Sequence, residues 1–136
     1  MSHVFKVGDG QSFRVKLDFY PLFGITSKQV QTANHELPNG DVIWSGVIDG
    51  KAGTDGWINS LSDDGKTITM KNDDITLFDD RMVKSDKQGF DNALSVIFMK
   101  NSPSSDYVFL GTFRYVDGSR SNGQLMLERV GDEYTT

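Results

Sequence analysis

Trp44, Asp49 and Trp57 lie close together in the middle of this sequence, with Ser45-Gly46 beside the first and a glycine-rich loop, Gly50 to Gly56, between the last two. Large aromatics at strand ends, next to a carboxylate and conformationally free glycines, suit a flat ligand that carries an amino group. The ring supplies a face to stack on and the carboxylate an acceptor for the exocyclic amine. Core packing is the commoner use of a large ring, and it accounts for most of the alternating set Tyr107, Phe109, Phe113 and Tyr115. Trp44, Ser45, Gly46, Asp49 and Trp57 are therefore the candidate pocket.

Other chemistry is poorly supported. The chain has no cysteine and two histidines: His3 near the terminus and His35 in a loop beside Glu36, neither with a nucleophile in evident reach. The acid pairs Asp63-Asp64, Asp73-Asp74 and Asp79-Asp80 lack the spacing of a calcium loop and read as solvated turns. Val7-Gly8-Asp9-Gly10 is followed by neither Gly-Lys-Ser/Thr nor a helical pattern, so it is not a phosphate loop. No Gly-x-Ser-x-Gly elbow occurs. The expectation is a binding protein without catalytic residues, cofactor or metal.

At 136 residues with 37% hydrophobic and 24% charged side chains, the chain is expected to form one domain over residues 1–136, with 131–136 a frayed tail. The absence of cysteine, of a signal-like start and of any apolar run near membrane length points to a cytoplasmic protein with no membrane partner. A net charge of −5 opposes diffuse attraction to nucleic acid. The charge is unevenly placed, however: residues 41–80 carry nine Asp against three Lys, residues 81–130 seven Lys or Arg against five acids.

The elements that must position these residues read as short strands. Gln11 to Tyr20 alternates, with Phe13, Val15, Leu17 and Phe19 on one side and Arg14, Lys16 and Asp18 on the other, which predicts a half-buried strand. Pro21 and Gly24 end it, and Thr26 to Ala33 reads as a short helix. Asp41 to Asp49 predicts a central strand with Gly46 as a bulge. Trp57 to Leu61 and Lys66 to Lys71 form a hairpin about Asp64-Gly65, and Ile75 to Phe78 adds a short edge. Asp79 to Asp91 shows no sustained period and reads as a loop with a helical turn. Strands follow over Leu94 to Lys100, Tyr107 to Val116 and Gln124 to Val130, the last two separated by turns at Asp117-Gly118 and Asn122-Gly123. The fold class is mainly β: a strongly curved, mostly antiparallel sheet or small barrel with one or two short helices. Phe13, Val15, Leu17, Leu94, Val96, Phe109 and Phe113 are its expected core.

Several ordered motifs resemble the SRA domains, readers of modified cytosine within the PUA-like group. Val7-Gly8-Asp9 followed by Phe13-Arg14 is similar to that family's opening, and Ile43 to Asp49, with Ser45-Gly46 and Asp49, resembles its base-pocket segment. Asn92-Ala93-Leu94 with Val96 to Lys100, then Tyr107 to Val116 and Leu125 to Arg129, resemble later family strands in the same order. The chain departs from the family pattern at Leu110, where an Asp is usual, at Val47 and Ile48, in place of a pocket tyrosine, and at Ile68-Thr69-Met70, in place of Tyr-Thr-Gly.

The resemblance implies a crescent-shaped PUA-like (SRA-like) barrel that binds duplex DNA, flips a modified base into an aromatic pocket and works in a bacterial restriction or defence system, beside a separate nuclease or helicase subunit. Trp44 or Trp57 then replaces the missing stacking face, and Arg14, Lys16, Arg114 and Arg120 are the candidate phosphate contacts. Two alternatives of other classes stand beside it. One is an acidic protein-binding or DNA-mimic (anti-restriction) protein, from the Asp-rich middle; the other is a small barrel holding an apolar ligand, from the abundance of Phe and Met.

Overall fold

The computed structural model describes residues 2–26, 34–88, 93–116, 120 and 123–136. Nine strands and one α-helix are assigned among them: β1 (Val4–Lys6), β2 (Asn34–Glu36), β3 (Val42–Val47), β4 (Ile58–Leu61), β5 (Thr67–Lys71), α1 (Ile75–Gln88), β6 (Ser95–Lys100), β7 (Tyr107–Tyr115), β8 (Gln124–Gly131) and β9 (Glu133–Thr135). Strands β2-β3-β6-β7-β8-β5-β4 form one sheet in that order, antiparallel except for the parallel pair β3/β6, while β1 and β9 pair separately.

The two parallel strands explain their own composition. Val42, Ile43, Trp44 and Ser45 of β3, and Val96, Ile97, Phe98 and Met99 of β6, are each buried in succession, because apolar layers cover both faces of the sheet there. One layer joins Trp44, Ile48, Ile97, Met99 and Phe113 to Phe78 and Met82 of α1. The other joins Ile43, Val96, Phe98 and Phe109 to Phe5, Phe19 and Tyr20. Phe109 and Phe113 would share a face in a regular strand. They serve opposite layers because the β6/β7 register skips Leu110, with Ile97 opposite Gly111 and Phe98 opposite Phe109. A second irregularity skips Val130 in the β7/β8 register. Such bulges bend the sheet.

The hairpin β4/β5 and strands β3, β6, β7 and β8 lie where the sequence predicts them. Other expectations are corrected. Gln11 to Tyr20 is not a strand. Only Phe13 makes a bridge, to Tyr107, and tight helical turns follow at Lys16–Asp18 and Tyr20–Phe23. The Asp18 carboxylate takes the Val15 N–H at 3.3 Å and the Val15 carbonyl takes the Asp18 N–H at 3.0 Å, so local bonds replace a ladder. Val15 and Leu17, expected in the core, are both 48% exposed, and Phe19 and Tyr20 are buried instead. Phe13 and Leu94 are half-buried.

Ile75 to Phe78 is not an edge strand, nor is Asp79 to Gln88 a loop; together they are α1. Asp74 caps it, its Oδ1 accepting the Leu77 N–H at 3.1 Å. Gly46 sits in regular register opposite Met99 and makes no bulge. The 131–136 tail is not frayed but carries β9, held to β1. The helix expected over Thr26 to Ala33 falls mostly on residues 27–33, which lie outside the described residues, as do Asn92 and the turn residues Asp117, Gly118 and Asn122.

Nor is the sheet a closed barrel. Among the described residues no ladder joins β4 to β2 or β3. It curls far enough, however, that β4 meets the end of β3. The Gly50 N–H donates to the Asn59 carbonyl at 2.9 Å, and the Asn59 amide nitrogen donates to the Val47 carbonyl at 3.3 Å. Among the described residues no helix is long and apolar enough to cross a membrane.

Candidate functional site

A cavity of about 620 Å³ lies where the sheet almost closes. Its wall takes Trp44, Ser45, Gly46, Val47 and Asp49 from β3 and its end, Trp57 and Asn59 from the start of β4, Met70 from β5 and Arg81 from α1. The loop between β3 and β4 adds Lys51, Ala52, Gly53 and Asp55. All five residues of the predicted pocket are therefore brought to one cavity, of a size usual for small-ligand sites.

Their states differ. Trp44 is buried and packs in the layer beneath α1. Trp57 is half-buried, its ring 6.1 Å from that of Phe78 and tilted by 41°. Asp49 is half-buried; its Oδ1 accepts the Lys51 N–H at 3.0 Å, and Oδ2 has no partner among the described residues. Ser45 is buried, with its hydroxyl 2.7 Å from that of Tyr20 in the opposite apolar layer. Burial pushes the Tyr20 phenol above its ordinary range, so the pair stays neutral and fixes β3 rather than offering charge to the cavity.

Two further polar residues have unmet capacity. The Asn59 amide nitrogen is committed to Val47, which orients the group, and its Oδ1 is buried without a hydrogen-bond partner among the described residues. Arg81 is half-buried, and burial lowers the pKa of its guanidinium. Neither was identifiable in advance. Asn59 becomes significant only because β4 returns to β3, and Arg81 only because residues 75–88 are helical.

The loop is held by its own backbone and by Asn72. Gly53 and Trp57 are joined N–H to carbonyl at 2.9 Å, Gly56 donates to Gly53 at 3.0 Å, and the Asn72 amide donates to the Asp55 carbonyl at 3.0 Å. Asp55 adopts φ 58°, a left-handed conformation that Asp tolerates better than most residues.

The four predicted phosphate contacts do not line this cavity. Arg14 is exposed beside Phe13. Lys16 lies with its ammonium 5.9 Å from the Tyr20 ring, and burial lowers its pKa. Arg114 is exposed and stands opposite Glu128 in the β7/β8 ladder. Arg120 lies 5.6 Å from the Tyr115 ring. The cations at the cavity are Lys51 and Arg81. Among the described residues no three His, Asp or Glu converge as a metal site would need.

The sequence matches the family of SET and RING associated (SRA) domains over residues 3–136. Among solved structures, the 5-hydroxymethylcytosine-specific restriction enzyme AbaSI is similar to this chain at 24% identity and a TM-score of 0.72, over 96% of this chain and 42% of that one. The chain thus spans less than half the length of that enzyme. No curated protein matches the sequence.

Proposed function

The chain belongs to the SRA domain family, and from that premise we propose that it recognises a modified base in duplex DNA as the reading module of a cytoplasmic restriction or defence system. The observation that carries this reading is the cavity itself, in which two indole rings stand beside two acceptors with unfilled capacity, Asp49 Oδ2 and Asn59 Oδ1. An extruded cytosine presents a flat face and an exocyclic amine, and these four groups match both. Extrusion costs a few kcal/mol, which stacking and edge hydrogen bonds offset. The half-buried Trp57 is the proposed stacking ring, with Trp44 forming the floor. The similarity to AbaSI favours a 5-substituted cytosine, with the glycine loop covering the substituent.

In this reading the domain recognises and does not cut, and strand cleavage belongs to a nuclease part or partner. Arg14 and Arg114 make sequence-independent phosphate contacts outside the cavity. The Asp49, Asn59 and Arg81 rim does not suit a purely apolar ligand.

The test is a binding panel of duplexes carrying cytosine, 5-methyl-, 5-hydroxymethyl- or glucosylated cytosine, or N6-methyladenine, each incubated with magnesium and checked for strand breaks. One modified duplex should bind preferentially and remain uncut. Trp57→Ala should weaken that duplex by about 1–3 kcal/mol, while Asp49→Ala should erode the preference more than the overall affinity. Equal binding of every duplex would sink the base-reading proposal, and magnesium-dependent breaks in homogeneous protein would sink the division of labour.

A further inference from the structure

Arg81 is the half-buried cation of the cavity, and nothing among the described residues neutralises it. On α1 it stands three positions after the buried Phe78, on the same side of the helix, and it lines the cavity together with Trp44 and Met70 of the sheet. At helical spacing its neighbours are Leu77, Phe78, Lys84 and Ser85, none of them acidic, although Asp80 and Asp79 lie one and two positions before it in sequence. Among the described residues it makes no ion pair or hydrogen bond, in a chain whose net charge is −5 and where acidic partners abound. The guanidinium is partly desolvated and remains charged. Desolvating a cation without a counter-ion opposes folding, and an incoming anion removes that cost.

We propose that Arg81 binds a phosphate flanking the extruded nucleotide, so that the cavity takes the base together with its backbone anion. The inference rests on the base-reading function above and adds a nucleotide clamp to it. Base and phosphates are linked through one sugar, so a base seated between Trp57 and Asn59 brings a phosphate near the same wall. A planar guanidinium with five donors suits two phosphate oxygens better than an ammonium does. The clamp is distinct from the uniform phosphate contacts assigned to exposed arginines, because it forms only when a nucleotide leaves the helix.

The experiment uses the preferred modified duplex in three forms: with native phosphates, and with a neutral methylphosphonate placed either 5′ or 3′ to the modified nucleotide. In wild-type protein one of the two replacements should lower affinity by about tenfold, the scale of a lost charge-assisted bond. In Arg81→Gln that replacement should have no further effect, whereas the native duplex should already bind about tenfold more weakly. Arg81→Lys should recover part of the loss. Thermal unfolding of the unliganded Arg81→Gln protein should occur at the wild-type temperature or above, which a structural arginine would not allow. If wild-type and Arg81→Gln proteins lose affinity equally with each methylphosphonate while still preferring the modified base, the clamp is wrong and base reading survives. If wild-type protein shows no preference among bases, base reading fails and the clamp fails with it.

Discussion

Asn72 shows how a residue outside the cavity can govern it. Its side chain is buried, donating to the Asp55 carbonyl at 3.0 Å and accepting the Asp74 N–H at 2.9 Å, while its own N–H reaches the Gly123 carbonyl at 2.9 Å. One residue thus ties the cavity loop, the start of α1 and the start of β8. Asn72→Ala removes both side-chain bonds and leaves a carbonyl and an N–H without them, a cost of about 1–3 kcal/mol by urea denaturation. With the loop released, Trp57 should be less ordered and the modified-base preference should fall even where the protein is fully folded. Asn72→Asp keeps the acceptor and loses the donor, so it should retain the helix contact and lose the loop contact. Unchanged stability in Asn72→Ala would mean that these bonds do not hold the loop and the helix together. Trp44, Asp49 and Trp57 were legible in the sequence because their side chains are conspicuous for stacking and acceptance. Asn59, Asn72 and Arg81 were not, since an amide or a cation is informative only once the fold has satisfied it or left it unmet.

Among the elements, the bend in β7 does most to shape the site. Skipping Leu110 puts Phe109 and Phe113 on opposite layers and curls the sheet until β4 reaches β3. Gly111 follows the bulge at φ 120°, and a Cβ there would lie 2.7 Å from both Arg129 Cδ and the Gly131 carbonyl. Gly111→Ala should therefore cost about 2–4 kcal/mol, from backbone strain and overpacking together. Gly46→Ala is the matched control: its new methyl would meet only Met99 Sδ at 3.7 Å, so stability should change little. Equal denaturation midpoints for the two variants would contradict the bulge argument. The same element explains why sequence alternation misleads in this chain. It promised one face for β7, which the bulge divides, and a strand over Gln11 to Tyr20, which Asp18 folds into a turn. Helix α1 escaped notice for the converse reason: only Phe78 and Met82 among its described residues are buried, while the exposed Ile75, Leu77 and Val83 blur the period.

At the scale of the whole molecule, the chain ends close one apolar layer while the cavity belongs to the other. β1 pairs with β9 through Val4–Thr135, Phe5–Tyr134 and Lys6–Glu133, and His3 and Thr136 exchange bonds of 2.9 Å. The exposed Lys6–Glu133 ion pair, at 3.9 Å, adds little. The weight of this pairing lies in Phe5, which is 1% exposed and packs on Phe13, Phe23, Phe98 and Phe109. Tyr134 adds a hydroxyl bond to Asp41 at 2.8 Å, anchoring the residue before β3. Phe5→Ala should cost about 3–5 kcal/mol, the usual range for emptying such a site. Removing residues 132–136 should cost a comparable amount, because β1 loses its ladder and uncovers the same ring. The cavity faces the layer of Trp44, Phe78 and Met82, so neither change touches its wall directly. At a temperature where both variants remain folded, each should therefore bind the modified duplex with wild-type preference despite a lowered unfolding midpoint. A loss of preference in step with the loss of stability would mean that the two layers act as one unit, and that the terminal strands hold the site as well as the fold.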